Sequence, residues 1–296
     1  RALLVIAVCV ASCIAFEYIS RKVMKRSVTL GDLSAVVTGL LLAYNLPVSI
    51  PLWMCIVGSF VAIVIVKQLF GGIGQNFANP AITARIVMLV SFASAMTNFT
   101  QPTLWRYDAV ASATPLSQLS ALDMTGDIPS QIKTLANGGN LPELKEMLFG
   151  VRAGCIGETC AAALLLGAVY LIARGIISVR IPFAYIATVG VFMLAVSHGS
   201  LTFTAYELTA GGLLLGAFYM ATDYTTSPMS KKGKIVFGIG CGLLTSVIRL
   251  YGSLPEGVSY SILLMNIACP LIEKACRPGY FGQQKTEKKK KEETAA

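Results

Sequence analysis

Residues 38–43, TGLLLA, recur as residues 211–216, GGLLLG, within two short apolar segments of the chain. A second match lies further along each half, because VKQLFG at residues 66–71 resembles VIRLYG at residues 247–252. Since the two matches come in the same order and at a similar separation, they indicate an internal repeat. The chain is therefore predicted to consist of two structurally related halves.

The composition places these halves in a membrane. Hydrophobic residues make up 55% of the 296 positions and charged residues only 13%, with a mean hydropathy of +0.68. About a quarter of the residues of a soluble domain are charged, so most of this chain must face lipid or other apolar helices. Lipid offers the backbone no hydrogen bonds, so segments that cross it must be helices of about 20 residues. We therefore predict an all-α polytopic membrane protein.

Nine segments are candidate spans. They are residues 2–19, 33–45, 51–68, 81–98, 153–174, 181–198, 207–222, 234–252 and 257–273. The repeat pairs the first four spans, in order, with the sixth to the ninth, and it leaves the fifth without a partner. A helix ahead of Arg1 would supply that partner, and we expect it to be missing from this sequence. Each half would then have five helices, and an odd number of spans inverts the second half relative to the first. Such inverted five-helix repeats resemble the urea-transporter fold.

The paired segments 33–45 and 207–222 are short, contain glycine and end in polar residues. Matched, interrupted segments of this kind mark binding sites between the repeats of transporters. Glycines also allow helices to pack closely, which explains the same pattern by structure alone. Both interpretations stay open on the sequence.

Lysine and arginine residues predict the orientation of the chain. Alternate short connections and the C-terminal tail are basic, whereas connections 46–50 and 199–206 contain no lysine or arginine. The basic connections contain Arg21, Lys22, Lys25 and Arg26, then Lys67, then Arg174 and Arg180, and then Lys231, Lys232 and Lys234. Because basic connections face the cytoplasm, the tail is predicted to be cytoplasmic and the long loop between the fourth and fifth spans extracytoplasmic. The net charge of +9 is then a topology signal that also favours anionic lipid, and no nucleic-acid partner is expected. The predicted divisions are a first, N-terminally incomplete repeat at 1–98, the outer loop at 99–152, a second repeat at 153–273 and the basic tail at 274–296.

The eight cysteines and the single histidine show no metal-binding spacing. The cysteines lie in or beside apolar segments, where cysteine behaves as a small hydrophobic residue. We therefore interpret them as packing residues and expect no metal site.

The outer loop contains the segment Asp108–Leu116, DAVASATPL, in which small residues surround the hydroxyl of Thr114. Pro115 favours an extended backbone at Thr114. The small neighbours leave room for an enzyme or a large group to approach the hydroxyl. On these residues alone, an ordinary loop before a turn is the simpler explanation.

The same segment resembles the flavin-attachment motif, D-G-x-S/T-G-A-T, of bacterial flavin-bearing respiratory subunits. Asp108, Ala113 and Thr114 match the motif, whereas the defined positions between Asp108 and Ala113 depart from it, Ser112 among them. The resemblance implies that FMN is joined through its phosphate to the Thr114 hydroxyl, with Asp108, Ser112 and Ala113 beside the bond.

Longer blocks extend the resemblance over nearly the whole chain. They are TGLLLAYNLP at 38–47, KQLFGGIGQNFANP at 67–80, GCIGET at 154–159, GLLLGAFYMATD at 212–223 and FGIGCGLLTSVIRL at 237–250. The chain is thus similar to the family that contains the D subunit of the Rnf complex and the B subunit of the sodium-pumping NADH:quinone oxidoreductase. The similarity is greatest to the Rnf members.

The resemblance implies a role inside an assembly, not catalysis by the chain alone. Rnf complexes pass electrons between ferredoxin and NAD and couple this to movement of Na⁺ or H⁺ across the bacterial inner membrane. The chain would be a flavoprotein component of this translocase. Its implied partners are the Rnf components A, B, C, E and G and a flavin transferase that attaches the FMN. A second, non-covalent flavin such as riboflavin occurs in the quinone-reducing relative, and the sequence assigns no residues to it.

Two charged residues in predicted spans are further candidates for the flavin site. Glu158 is predicted to lie inside the fifth span, where a carboxylate is costly and faces a cavity, a cation or a buried partner. Arg249 lies near the outer end of the eighth span, where it would pair with Glu158, attract a flavin phosphate or extend to the interface. At the inner span ends, Asn76, Asn79 and Asp223 are predicted to cap freed backbone groups.

Three other functions compete with the Rnf interpretation. One is a flavin-bearing component of a sodium-pumping NADH:quinone oxidoreductase. Another is a channel or transporter for a small solute, since inverted repeats with interrupted segments suit that task. The third is a structural membrane scaffold without a flavin.

Overall fold

The computed structural model describes residues 1–100, 114–122, 124, 126–138, 141–150, 152–252 and 256–276. The regular structure of these residues is helical, which confirms the predicted all-α class for this part of the chain. Three predicted site residues, Asp108, Ser112 and Ala113, lie outside the described residues.

Five helices precede the outer loop. They are α1 (Ala2–Val23), α2 (Ser34–Tyr44), α3 (Leu52–Phe60, continued by a π-helical segment at Val61–Gln68), α4 (Pro80–Ser91) and α5 (Ala93–Met96). The start of α4 shows how the sequence fixes a helix end. The Asn79 side chain accepts hydrogen bonds from the backbone amides of Ala81 and Ile82, and Pro80 occupies the first turn, where no amide donor is needed.

The outer loop contributes three short helices, and the second half of the chain contributes six. The loop helices are α6 (Pro115–Leu119), α7 (Ile128–Asn137) and α8 (Leu144–Phe149). The others are α9 (Ala161–Ala173), α10 (Arg180–Val196), α11 (Leu201–Thr209), α12 (Leu213–Leu215, continued by a π-helical segment at Gly216–Met220), α13 (Lys231–Tyr251) and α14 (Val258–Ala275).

Within the described ranges, α1, α13 and α14 are long and apolar enough to cross a bilayer. The pair α11 and α12 adds a fourth such segment, bent by 63° at the break between them. Five shorter apolar helices, α2, α3, α4, α9 and α10, accompany these four. Each predicted span overlaps one of these helices, so the chain is a multi-pass membrane protein. The seventh begins earlier than predicted, because α11 starts at Leu201, within the predicted connection 199–206.

The fifth predicted span begins later than expected. Residues 153–160 form an irregular segment with a 3₁₀ turn at Ile156–Glu158, and α9 starts only at Ala161. At Gly157 the segment passes so close to α2 that a Cβ would lie 2.6 Å from the Cβ of Tyr44. Glu158 therefore lies ahead of the helix, and the prediction that places it inside the span was wrong.

The two halves have corresponding helix contacts. In the first half α1 packs on α2 and α3, and α3 packs on α4; in the second half α10 packs on α11 and α13, and α13 packs on α14. Glycines permit the closest approaches. A Cβ on Gly39 of α2 would lie 2.8 Å from the Cα of Val10, and one on Gly238 of α13 would lie 2.8 Å from the carbonyl oxygen of Ile181. Any side chain at these two positions would push the helices apart.

Candidate functional site

Thr114 is the N-cap residue of α6. Its backbone is extended, with φ −69° and ψ 148°, as the following Pro115 predicts. The Thr114 Oγ1 accepts a hydrogen bond from the amide of Ser117 at 3.3 Å, and the Ser117 hydroxyl donates to the Thr114 carbonyl at 2.8 Å. Thr114 is partly exposed, whereas the next two residues are buried. The Thr114 hydroxyl is therefore held at the start of a helix that packs into the core.

The helix α6 is anchored by its apolar side chains. Leu116 and Leu119 are buried in the main hydrophobic core. The Cδ2 of Leu116 lies 3.0 Å from the position that a Cβ on Gly211 would take. Gly211 has a φ of +64° and lies in the break between α11 and α12. The segment that carries Thr114 thus rests on the interruption of the seventh span.

Two arginines bind the carbonyl oxygens at the C-terminal end of α11. Arg249 on α13 donates to the Glu207 carbonyl at 2.6 Å, to the Glu207 carboxylate at 2.9 Å and to the Ala210 carbonyl at 3.3 Å. Arg152 donates to the Thr209 carbonyl. A helix end leaves carbonyl groups without partners, and cationic side chains satisfy them and interact favourably with the helix dipole.

Glu158 lies at the N-terminal end of α12. Its Oε1 is 2.9 Å from the position that a Cβ on Gly212 would take, and 3.5 Å from the Nη2 of Arg85. A carboxylate near a helix N-terminus is stabilised by the helix dipole. The proposed pair between Glu158 and Arg249 does not form, because Arg249 binds Glu207 instead. Charged side chains of the chain itself therefore lie at both ends of the break, Arg249 at the end of α11 and Glu158 at the start of α12.

Arg85 on α4 joins this group of charges to the loop ahead of α14. Its guanidinium contacts the carboxylates of Glu158 and Glu256, the Oδ1 of Asn45 at 2.8 Å and the sulfur of Cys155 at 3.6 Å. Ligand atoms of Cys155, Glu158 and Glu256 all lie within 4.8 Å of one another, a spacing that suits a metal ion. The Arg85 guanidinium contacts all three of them, so a cation of the chain itself already lies against this cluster.

A further buried ion pair, between Lys67 and Glu17, lies in the first half. The Lys67 ammonium binds the Glu17 carboxylate at 2.9 Å and the Ser34 hydroxyl, at the start of α2, at 2.6 Å. The side chain of Gln68 donates to the same carboxylate at 3.1 Å. Leu33, just ahead of α2, has a φ of 57°. This cation therefore also lies beside a backbone irregularity at the start of an apolar helix.

A cavity of about 400 Å³ opens between the two halves on the side where α2 begins. Apolar walls come from α2, α9 and the end of the α12 segment, and Leu41, Leu171 and Phe218 are among the residues that form them. The polar side chains at its edge are those of Asp32, Ser34, Thr38, Lys67, Asn76, Asn79, Thr222, Asp223 and Thr225. Partial burial of Asp32 opposes its ionisation, but hydrogen bonds from Ser34 prevail and lower the pKa of this carboxyl.

The asparagines and Asp223 join the two halves at this cavity. The Asn79 side chain caps α4, as predicted, and also donates to the carbonyl of Met220 at 3.3 Å. The Asn76 side chain donates to the Thr225 hydroxyl at 3.2 Å, and the Asp223 carboxylate accepts from the Thr225 amide at 3.2 Å.

Sequence reasoning missed six charged residues that the structure places in these buried groups. They are Glu17, Lys67, Arg85, Arg152, Glu207 and Glu256. A usable signal existed for four of them, because Glu17, Lys67, Arg85 and Glu207 lie within predicted apolar spans. An ionisable residue inside a span faces the interior and pairs with a partner. The partners themselves are distant in the sequence and carry no local signal.

Comparison with known proteins gives consistent matches over the whole chain. The model of the NQR2, RnfD, RnfE family matches residues 1–282. The D subunit of the Na⁺-translocating ferredoxin:NAD⁺ oxidoreductase complex of Acetobacterium woodii is 48% identical over 290 residues, which cover 98% of this chain and 86% of that protein. The D subunit of the proton-translocating ferredoxin:NAD⁺ oxidoreductase complex of Clostridium ljungdahlii is 43% identical, over 96% of this chain and 85% of its own length. The D subunit of the ion-translocating oxidoreductase complex of Stutzerimonas stutzeri is 38% identical, over 93% of this chain and 81% of its own length.

Proposed function

The chain belongs to the NQR2, RnfD, RnfE family, and from that premise we propose that it is the flavin-bearing D subunit of an ion-translocating oxidoreductase complex. The relatives that cover nearly its whole length are named as this component. The chain then serves a translocase that moves electrons between ferredoxin and NAD, and it catalyses no reaction alone. The relatives are named for Na⁺ in one organism and for protons in another, so their names leave the coupling ion open.

The observation that carries the proposal is the setting of Thr114. A threonine that is partly exposed and caps an anchored helix suits a covalent FMN, because the helix fixes the position of the acceptor oxygen. Asp108 and Ala113 match the attachment motif in the sequence, and Ser112 lies beside them at a position that departs from it. Bound FMN supplies a carrier that takes up and releases one or two electrons.

The attachment reaction needs an activated donor. The Thr114 oxygen attacks the phosphorus of a flavin dinucleotide, an Oγ1–P bond forms, and the anhydride bond to the nucleoside monophosphate breaks. The hydroxyl proton leaves with a base on the transferase. A flavin monophosphate would have to expel an oxygen as water, so the anhydride is the chemically competent donor. The FMN phosphate becomes a diester with one negative charge.

Glu158 and Arg249 flank the break between α11 and α12, on which the helix of Thr114 rests. The Arg249 side chain is 1% exposed and is bound to Glu207, and Glu158 lies against Gly212 and Arg85. Direct contact with the flavin phosphate would require breaking these bonds. We therefore assign both residues to the support of the break on which α6 rests.

A second, non-covalent flavin such as riboflavin fits the cavity near Lys67. Small-molecule sites are concave, about 300–1,000 Å³ in volume and mostly apolar, with a few polar groups that fix orientation. The cavity of about 400 Å³ has this character, with Asn76, Asn79 and Thr225 among its polar edges. Phe218 and Thr222, at the far end of the α12 segment from Gly211, line this cavity, so it would place a second carrier away from Thr114.

We further propose that the two halves are inverted repeats of the urea-transporter type, at 1–98 and 153–273. Two observations support this. The order of helix packing is the same in both halves. The repeated blocks at 66–71 and 247–252 each place a buried cation beside an irregularity of a neighbouring span, Lys67 near Leu33 and Arg249 near Gly211. The loop at 99–152 is then extracytoplasmic, and the tail at 274–296 lies in the cytoplasm against anionic lipid.

The partners follow from the proposed role. The Rnf components A, B, C, E and G would deliver and accept the electrons, and a flavin transferase would load Thr114. The relatives' names place them in such a complex. Exposed apolar side chains along α9, among them Leu166, Val169 and Tyr170, leave this helix free to meet lipid or another protein of the complex.

Covalent flavin provides the test. The complex is purified from a host that contains the flavin transferase, and the denatured chain is inspected for ultraviolet fluorescence on a gel. We expect a fluorescent band for the wild type and for Thr134→Ala, a substitution in the same loop but outside the motif, and a dark band for Thr114→Ala. A dark wild-type band would refute the electron-relay function. Fluorescence in Thr114→Ala would refute the attachment site.

A further inference from the structure

We propose that Gly211 is a positioning residue for the transfer of flavin to Thr114 and that it acts through Leu116. The inference rests on the proposed function, because it concerns how the acceptor hydroxyl is presented. The contact joins the break of the seventh span to the helix that carries the motif threonine, so the membrane part of the chain sets the position of the loop acceptor.

A side chain at position 211 would crowd Leu116, which would have to shift by a few tenths of an ångström. An added Cβ would lie 3.0 Å from the Cδ2 of Leu116, inside the ordinary contact range of carbon atoms, and 3.4 Å from the Nη2 of Arg249. The φ of +64° also disfavours every residue with a Cβ. Both the backbone conformation and the lack of space therefore favour glycine at position 211.

The Arg249 side of this space cannot yield. The guanidinium is bound to the Glu207 carbonyl and carboxylate and to the Ala210 carbonyl, and it is almost fully buried. Moving it would break charge-assisted hydrogen bonds in an apolar environment. A methyl group at position 211 must therefore displace Leu116.

Displacement of Leu116 reaches Thr114 through a short, stiff connection. Pro115 lies between them with its φ fixed by the ring, and the Thr114 carbonyl accepts hydrogen bonds from the Ser117 hydroxyl at 2.8 Å and the Gln118 amide at 3.3 Å. α6 and its N-cap therefore move together. Attack of a hydroxyl on phosphorus depends on its placement, and an error of about 1 Å costs on the order of 100-fold in rate.

The test measures the rate of flavin incorporation into variant chains whose folding is checked by a monodisperse elution peak after solubilisation. Membranes that contain the variant chain are supplied with flavin transferase and a flavin dinucleotide, and fluorescence per mole of chain is followed over time. The variant is Gly211→Ala. Its matched control is Gly175→Ala, a glycine with a φ of +68° and no neighbour within 4 Å of an added Cβ. Both substitutions strain the backbone, but only the first touches Leu116.

We expect Gly211→Ala, which shifts Leu116 by a few tenths of an ångström, to lower the maximal rate by about three- to tenfold, with the KM for the flavin dinucleotide unchanged. Gly175→Ala should keep the wild-type rate. Leu116→Val removes the crowded Cδ2, so Gly211→Ala combined with Leu116→Val should incorporate flavin faster than Gly211→Ala alone.

Two results would overturn the inference: incorporation at the wild-type rate in Gly211→Ala, or a double variant no faster than the single one. Either result, obtained with a fluorescent wild type and a dark Thr114→Ala, leaves the flavin function intact. An unlabelled wild type refutes the function itself.

Discussion

Arg249 binds Glu207 twice, through the carboxylate at 2.9 Å and through the main-chain carbonyl at 2.6 Å. One side chain on α13 therefore neutralises the buried acid of α11 and also fixes the last turn of that helix. The bend of 63° between α11 and α12 follows directly after this contact, so a side chain of α13 stabilises the helix end at which the bend begins. Because both partners are nearly inaccessible to water, the pair has no alternative partner in solvent.

Arg249→Gln should destabilise the chain strongly. Removing one member of a buried ion pair leaves an uncompensated charge, at a cost of about 3–5 kcal/mol. We expect a clear fall in the temperature at which the detergent-solubilised chain loses its monodisperse elution peak. The exposed Arg174, changed to Gln, is the control and should leave that temperature unchanged.

The double variant Arg249→Gln with Glu207→Gln should be more stable than Arg249→Gln alone. It removes both charges, so no buried charge is left without a partner. If the double variant is no more stable than the single one, the pair does not stabilise the break by its charge.

Substitutions of Arg85, Glu158 and Glu256 should lower the stability of the chain by different amounts, in a definite order. Arg85→Gln leaves Glu158 and Glu256 close together without their cation, which costs about 3–5 kcal/mol. Glu158→Gln leaves Arg85 paired with Glu256 and should cost less. Glu256→Gln should cost least, about 1 kcal/mol, because this side chain is 22% exposed and its amide still accepts a hydrogen bond. The same thermal assay ranks the three, and a larger loss for Glu256→Gln than for Arg85→Gln would contradict the assignment of Arg85 as the shared cation.

The sequence predicts the helices of this fold better than their ends. Apolar runs identify every span, because hydropathy is a local property that lipid imposes. The start of the fifth helix is different, since the stretch ahead of Ala161 is also apolar, and only its contact with α2 at Tyr44 shows that it is irregular. A hydropathy pattern carries no information about such a contact.

The pairing of the charged residues is likewise a tertiary property that the sequence does not predict. Glu17, Lys67 and Arg85 stand out as charges within apolar spans, so their burial in pairs follows from the cost of a charge in lipid. Which charges pair is a matter of tertiary structure. Arg249 lies 42 residues from Glu207, and Arg85 lies 171 residues from Glu256. The same holds for the contact between Leu116 and Gly211, which joins a loop to a span.

Bulk added to the inner cavity should displace a non-covalent flavin without affecting the covalent one. Val37 lines this cavity, and Val37→Trp would occupy part of its volume of about 400 Å³. Ala163→Leu is the control, because Ala163 lines a separate cavity between α2 and α9. Acid extraction releases only non-covalent flavin, and we expect less of it from Val37→Trp than from the wild type or Ala163→Leu. Equal amounts from all three would argue against a flavin in this cavity.

The side of the membrane on which Thr114 lies decides which partners can reach its flavin, and single cysteines can report it. The background replaces the two partly exposed cysteines, Cys160→Ser and Cys276→Ser, since the other six are buried. Ser120→Cys follows α6, and Lys232→Cys lies in the basic first turn of α13; both positions are exposed. We expect a membrane-impermeant maleimide to label Ser120→Cys in intact cells and Lys232→Cys only after permeabilisation, because basic connections stay in the cytoplasm. The background alone should remain unlabelled. The opposite pattern would place Thr114 in the cytoplasm, and the flavin would then have to be loaded and reduced from that side.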